Sequence, residues 1–233
     1  MRFVPAKSVE RQGVLALHRT RELLVRQRTA LINAVRGHCA EFGIITAQGA
    51  RRVGELLDRA RGADASALPE EARFALGLLA EQLDALAARI HALDRRLLAW
   101  HRQDAASQRL ATIPGVGVLT ATALSASVAD PAAFRSGREF AAFLGLVPRQ
   151  TSSGGKERLG RITKMGDGYL RKLLVVGATA VVRRARAGTF AAAAWLRALL
   201  ERRPARVASV AMANKTARIV WAVLAREESY RPA

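Results

Sequence analysis

The chain has 233 residues, half of them apolar, so it can bury a core of its own. Its 38 Lys and Arg against 19 Asp and Glu leave a formal net charge of +19, a field that repels itself unless a polyanion lies close, and nucleic acid is the leading partner. The single cysteine, Cys39, excludes an internal disulfide, and four histidines without a second thiol exclude a zinc site of the usual spacing.

Residues 1–5 lack the apolar run of a signal peptide, and with the lone thiol this leads to a reducing, cytoplasmic setting, associated with the nucleoid. Helical periodicity then takes over. A first helix is expected over about 8–40, with Val14, Leu17, Leu24, Leu31 and Val35 on one face and arginines on the others. Gly43, Gly49, Gly54 and the stretch 62–69 break the pattern into shorter helices and loops. From Glu70 the spacing becomes strict: Leu76, Leu79, Leu83, Leu86, Ile90, Leu93, Leu97 and Trp100 alternate steps of three and four, which is a coiled-coil seam. Pro69, Glu70 and Glu71 suit its start, the acids facing the positive end of the helix dipole. The partner of this seam is either the first helix folded back antiparallel or the same helix of a second subunit, and a homo-oligomer through the coiled coil is expected. Residues 1–104 thus read as a helical arm.

Residues 105–233 read as a second, compact helical domain. It opens on Ile113-Pro114-Gly115-Val116-Gly117 between two helical segments, a helix-hairpin-helix-like element in which Gly115 and Gly117 let backbone amides approach a phosphate. Such a turn holds DNA without reading its sequence. Ser136-Gly137-Arg138-Glu139 is a capping box that starts a helix ending at Gly145. Asp167 is the expected N-cap of the next helix, with Leu170, Leu173, Leu174, Gly177 and Val181 facing inward, and helices over 190–200 and 204–226 complete the chain. The longest uncharged apolar stretch, 173–182, is far short of the roughly 20 residues of a membrane span, so no membrane partner is expected. No segment stands out as a strand. The fold class is mainly α: a long helical coiled-coil arm followed by a compact helical domain.

Between Arg149 and Arg186 ten cations face two acids. Arg149, Lys156, Arg158, Arg161 and Lys164, with Arg171 and Lys172 from the following helix, form the expected DNA-binding track; several lie in a glycine-studded loop where no helix face needs solubilising. Within that loop Ser152 and Ser153 precede Gly154-Gly155-Lys156, placing hydroxyls beside flexible amides and cations. A serine attacking phosphorus needs such neighbours to neutralise the crowded oxygens and the charge that develops on them. The plain alternative is a Ser-Gly linker. His18, His38, His91 and His101 all fall in the arm, so no Ser/His/Asp arrangement is evident, and no carboxylate cluster suggests a metal site.

In order along the chain, Ile113-Pro114-Gly115-Val116-Gly117, the stretch from Phe140 to Arg149, Ser152-Ser153-Gly154-Gly155, and the stretch from Ile162 to Arg171 resemble the insertion-sequence one-ten family of transposases. The first helix and the tail Val210-Ala211-Met212-Ala213-Asn214-Lys215 are similar to that family too. The resemblance implies an enzyme of DNA transposition, with a serine nucleophile in its C-terminal domain and an N-terminal RuvC-like domain bearing four metal-binding acids. It implies Ser153 as nucleophile, with Ser152 as second choice, and DNA and a structured guide RNA as partners. Residues 1–5 resemble the family's sequence just after the RuvC-like acids. The acids and their magnesium are therefore expected in a domain this chain lacks, as in a truncated gene or fragment, and no metal or other cofactor is expected within it. Two rival readings are a non-catalytic DNA-binding module and a basic RNA-binding helical protein.

Overall fold

A computed structural model describes residues 6–62, 68–151, 153–156, 158–190 and 193–231. Helices dominate, and the chain divides into two compact units, Ala16–Arg96 and Leu97–Ala233 together with Met1–Leu15.

The unit Ala16–Arg96 holds most of two long helices, α1 (Val9–Glu41) and α3 (Glu70–Gln103), and the short α2 (Val53–Arg61). Helix α1 stops where Gly43 takes φ +73, with the Ile44 amide reaching back to the Cys39 carbonyl and the Gly43 amide to that of Ala40. This is the left-handed stop that glycine permits, and it turns Ile44 into the core. The α3 seam is covered within the chain: Leu76, Ala80 and Leu83 share a cluster with Val35 and Cys39 of α1 and with Leu56, Leu57 and Ala60 of α2. Further along, the Arg21 guanidinium pairs with the Asp94 carboxylate. As α1 advances from 21 to 39 its contacts on α3 retreat from 94 to 76, so the two run antiparallel.

One buried charge candidate sits in this unit. His18 is 1% exposed, and its pKa is lowered from 6.5 to about 4, first by burial, then by the Arg21 cation, against a smaller raising effect from Asp94. The folded imidazole is therefore neutral between those values while the unfolded one takes up a proton, so acidification favours unfolding. Stability present above pH 6.5 is expected to drain away as pH falls to 4 and to level off below it, by about 3 kcal/mol. Denaturant melts at pH 7 and pH 4.5 check this: a His18→Gln variant should lose most of the difference, and an equal loss in parent and variant would contradict it.

In the larger unit the end of α3 is followed by α4 (Ala105–Ala111), capped by Asp104, and α5 (Val118–Ser127), joined by the turn 112–117. Helix α5 is rich in small residues, and every residue from Thr120 to Ala126 is buried. After a 3-10 turn, α6 (Gly137–Phe143) starts with the Ser136 half of the capping box, Ser136 Oγ accepting from the Glu139 amide, while the Glu139 carboxylate accepts from the amide of Arg135, one residue before the cap. Helix α7 (Gly168–Arg186) is capped by Asp167, whose carboxylate accepts from the Tyr169 and Leu170 amides. Helices α8 (Ala194–Arg202) and α9 (Ala205–Arg226) follow, α8 opening later than the periodicity placed it. By length and composition α9 alone among the described helices is apolar enough to cross a membrane, yet here it is a core helix. Its buried face, from Ala208 to Val223, lies against α6 and α7 in one cluster with Leu124, Phe140, Leu144, Leu146, Leu170 and Leu174.

Gly115 and Gly177 bring the α4–α5 turn and α7 into backbone contact. Gly115 has φ +85, and a Cβ at Gly177 would lie 1.9 Å from the Gly115 carbonyl oxygen. The position in the turn that the sequence offered to a phosphate is thus pressed against α7, whereas a Cβ added at Gly117 would meet nothing within 4 Å.

Candidate active site

Residues 145–151 and 158–166, with the tip 153–156, form a structure that the sequence did not announce: a β-hairpin. Strand β1 (Pro148–Gln150) pairs antiparallel with β2 (Leu159–Ile162), in the register Pro148 with Ile162 and Gln150 with Leu159. One extra residue on β2 makes a bulge between these pairs. At the far end Ser153 and Lys156 form a bridge around Gly154 (φ +57) and Gly155 (φ +77), with the Lys156 amide donating to the Ser153 carbonyl at 3.1 Å. Positive φ at both central residues defines a type I′ turn, whose twist matches that of paired strands and which glycine adopts without strain. The expected open loop is therefore a stem with a tight tip. Ser153 stands exposed at that tip, and Ser152 lies outside the described residues.

The base of the stem is pinned from several sides. The Thr163 and Lys164 amides donate to the Val147 and Gly145 carbonyls at 2.9 and 3.1 Å. Gly145 (φ +68) and Gly166 (φ +81) bring the two ends of the hairpin together: a Cβ at Gly145 would lie 2.1 Å from the Met165 carbonyl oxygen, and one at Gly166 would lie 1.8 Å from that of Phe143. From α7, Arg171 Nη1 donates to the Leu144 carbonyl at 2.9 Å and to the Met165 carbonyl at 3.1 Å. From α9, Asn214 Nδ2 donates to the Leu146 carbonyl at 3.1 Å. Sequence reasoning gave Asn214 no role in the site; its signal was the tail's resemblance to the family, which named no partner for it.

The expected cations are distributed along this hairpin. Lys156 pairs with Ser153 at the tip. Arg158 follows it, its carbonyl accepting from the Thr151 amide at 3.0 Å. Arg149 and Arg161 are exposed on β1 and β2, Lys164 is exposed with φ +56 where the hairpin leaves for α7, and Lys172 is exposed on α7 itself. At a rise of about 3.3 Å per residue, the strand position facing Arg161 lies some 13–17 Å from Ser153. Lys156 is thus the neighbour of Ser153, and Arg161 and Lys164 stand down the stem. Arg171 is half-buried and engaged with two carbonyls. Gly115 and Gly117 belong to a separate element, the α4–α5 turn.

Among the described residues no group of three or more His, Cys, Asp or Glu side chains is placed to hold a metal ion. The magnesium that the family resemblance implies therefore finds no ligand set among them. Near Asn214, Lys215 Nζ sits 4.3 Å over the Trp195 ring, its pKa lowered first by burial and then by Arg218.

Residues 107–194, which include the α4–α5 turn, the hairpin and α7, match the family model described as "Transposase IS116/IS110/IS902 family". Over its whole length the chain is 51% identical to the "Probable family 20 transposase" of Pseudomonas aeruginosa. It is 44% identical over 231 residues to the "Transposase for insertion sequence element IS1111A" of Coxiella burnetii, and 37% identical over 223 residues to the "Transposase for insertion sequence element IS1328" of Yersinia enterocolitica. It spans 69%, 64% and 66% of the lengths of these three relatives. With a helical fold, a match centred on the hairpin and half of its residues shared with the Pseudomonas relative, the chain belongs to the IS116/IS110/IS902 family of transposases.

Proposed function

We propose that this chain is the DNA-gripping and strand-cleaving part of a transposase, with Ser153 as its nucleophile. The observation that carries the reading is the position of Ser153: an exposed hydroxyl at the tip of a glycine turn, paired with Lys156, on a stem whose base is tied to α7 and α9. In the step, Ser153 Oγ bonds to a DNA phosphorus, the bond from that phosphorus to one deoxyribose oxygen breaks, and the serine proton is lost as the departing oxygen gains one. Lys156 neutralises the phosphate under attack. Arg149, Arg158, Arg161, Lys164 and Lys172 bind phosphates further along the strand, which suits a track better than a single cluster. Gly117, with open space before α5, offers backbone amides to another phosphate. The metal-binding acids, a structured guide RNA and a second copy of the chain complete the proposed assembly.

Duplex DNA affinity is expected to fall steeply with salt, by about 10³-fold or more between 50 and 200 mM if six or more phosphates are held. An Arg158→Ala, Arg161→Ala double variant should reduce the log–log slope by about 1.8, since each phosphate contact contributes about 0.9. Fluorescence anisotropy across a salt series reads both quantities. A flat titration, or a double variant with the parent's slope, would remove the phosphate track.

A further inference from the structure

We infer that Arg171 is a positioning residue for the chemistry at Ser153, acting by locking the hairpin's base and not by touching DNA; this rests on the reading of Ser153 as nucleophile. Charge alone puts Arg171 with the phosphate ligands, but its geometry points elsewhere. A single guanidinium nitrogen donates to the Leu144 and Met165 carbonyls, which flank the hairpin on its two sides. The side chain leaves the first turn of α7, whose own start is fixed by the Asp167 cap, so the lock is anchored in the helix that carries the core residues Leu170 and Leu174. The hairpin is a lever: β1 is exposed throughout and contributes nothing to the core, so the aim of its tip depends on its base. A small rotation at residues 144 and 165 becomes a larger displacement of Ser153, and misplacing a reacting group by about 1 Å costs on the order of 100-fold in rate. Neutral Arg171→Met removes both hydrogen bonds. Arg171→Lys keeps the charge as a compact ammonium without the planar fork.

The test uses the chain joined to the portion of the Pseudomonas relative that it does not span, assayed for DNA strand transfer, with hydrogen exchange measured on the same protein. Arg171→Met should lower kcat by about 10- to 100-fold at unchanged KM and unchanged salt slope of DNA binding. The Thr163 and Lys164 amides should exchange faster, while α9 keeps its protection. Arg171→Lys should fall between parent and Met variant in both readouts, and it carries the comparison should the Met variant fail to fold. A raised KM with a salt slope smaller by about 0.9 would make Arg171 a phosphate ligand and overturn the inference. Unchanged kcat, or unchanged exchange at Thr163 and Lys164, would overturn it too. Retained activity in Ser153→Ala would sink the nucleophile instead, and the exchange result stands apart from that outcome.

Discussion

Gly177→Ala is expected to lower the melting temperature of the Leu97–Ala233 unit by about 8–16 °C, corresponding to roughly 4 kcal/mol at a cost of some 2–4 °C per kcal/mol for a chain of this size. A Cβ at this position would lie 1.9 Å from the Gly115 carbonyl oxygen, well inside van der Waals contact. Both partners are backbone, so no rotamer change relieves the clash, and α7 must move away from the α4–α5 turn. That shift opens the packing of Val181, which itself sits 2.9 Å from where a Gly115 Cβ would be. Overpacking usually costs about 1–3 kcal/mol and more where the backbone must yield, which puts this change at the upper end. Gly117→Ala is the matched control: φ is −90 and nothing lies within 4 Å of the added methyl, so its melt should stay within a few degrees of the parent's. Circular dichroism melts of the two variants decide it, and equal melting temperatures would mean that the two backbones do not meet.

Ser153→Ala is expected to abolish strand transfer, by about 10⁴-fold or more as for other lost nucleophiles, with DNA affinity within about twofold of the parent. The hydroxyl is exposed and alanine fits the turn, so the fold has no reason to respond. Binding energy resides in the phosphate contacts, to which one hydroxyl adds little. Ser152→Ala should do less. The measurement pairs single-turnover strand transfer with anisotropy on the same preparations, using the fusion described above. Loss of affinity in step with activity would assign Ser153 to binding, and undiminished transfer would leave a DNA-binding module as the better account.

The helical frame was legible because its signals are local. Steps of three and four from Leu76 to Ile90 mark the face that α3 buries, and Ser136, Asp167 and Gly145 mark ends of helices where the structure has them. The hairpin was not legible in the same way. Pro148, Arg149 and Gln150 are all exposed, so no apolar alternation betrays β1, and the only sign was Gly154-Gly155, a pair suited to a two-residue hairpin turn. The meeting of Gly115 and Gly177 is a property of packing between distant segments, invisible to periodicity. A sequence shows the charge of Arg171 but not the Leu144 and Met165 carbonyls that engage it. Ser153 was singled out by resemblance; its own surroundings in the sequence suited a linker better, and the type I′ tip with its Lys156 pair is what the fold adds.

The most direct measurement is the location of a covalent link. The fusion with the Pseudomonas portion is incubated with a DNA substrate carrying a nick that traps the intermediate, denatured, digested with protease and nuclease, and analysed by mass spectrometry. A nucleotide adduct on the peptide carrying Ser153, surviving denaturation and absent from Ser153→Ala, is the predicted result. An adduct mapped to another residue, or strand transfer with no adduct formed at all, would contradict the assignment of Ser153 as the nucleophile.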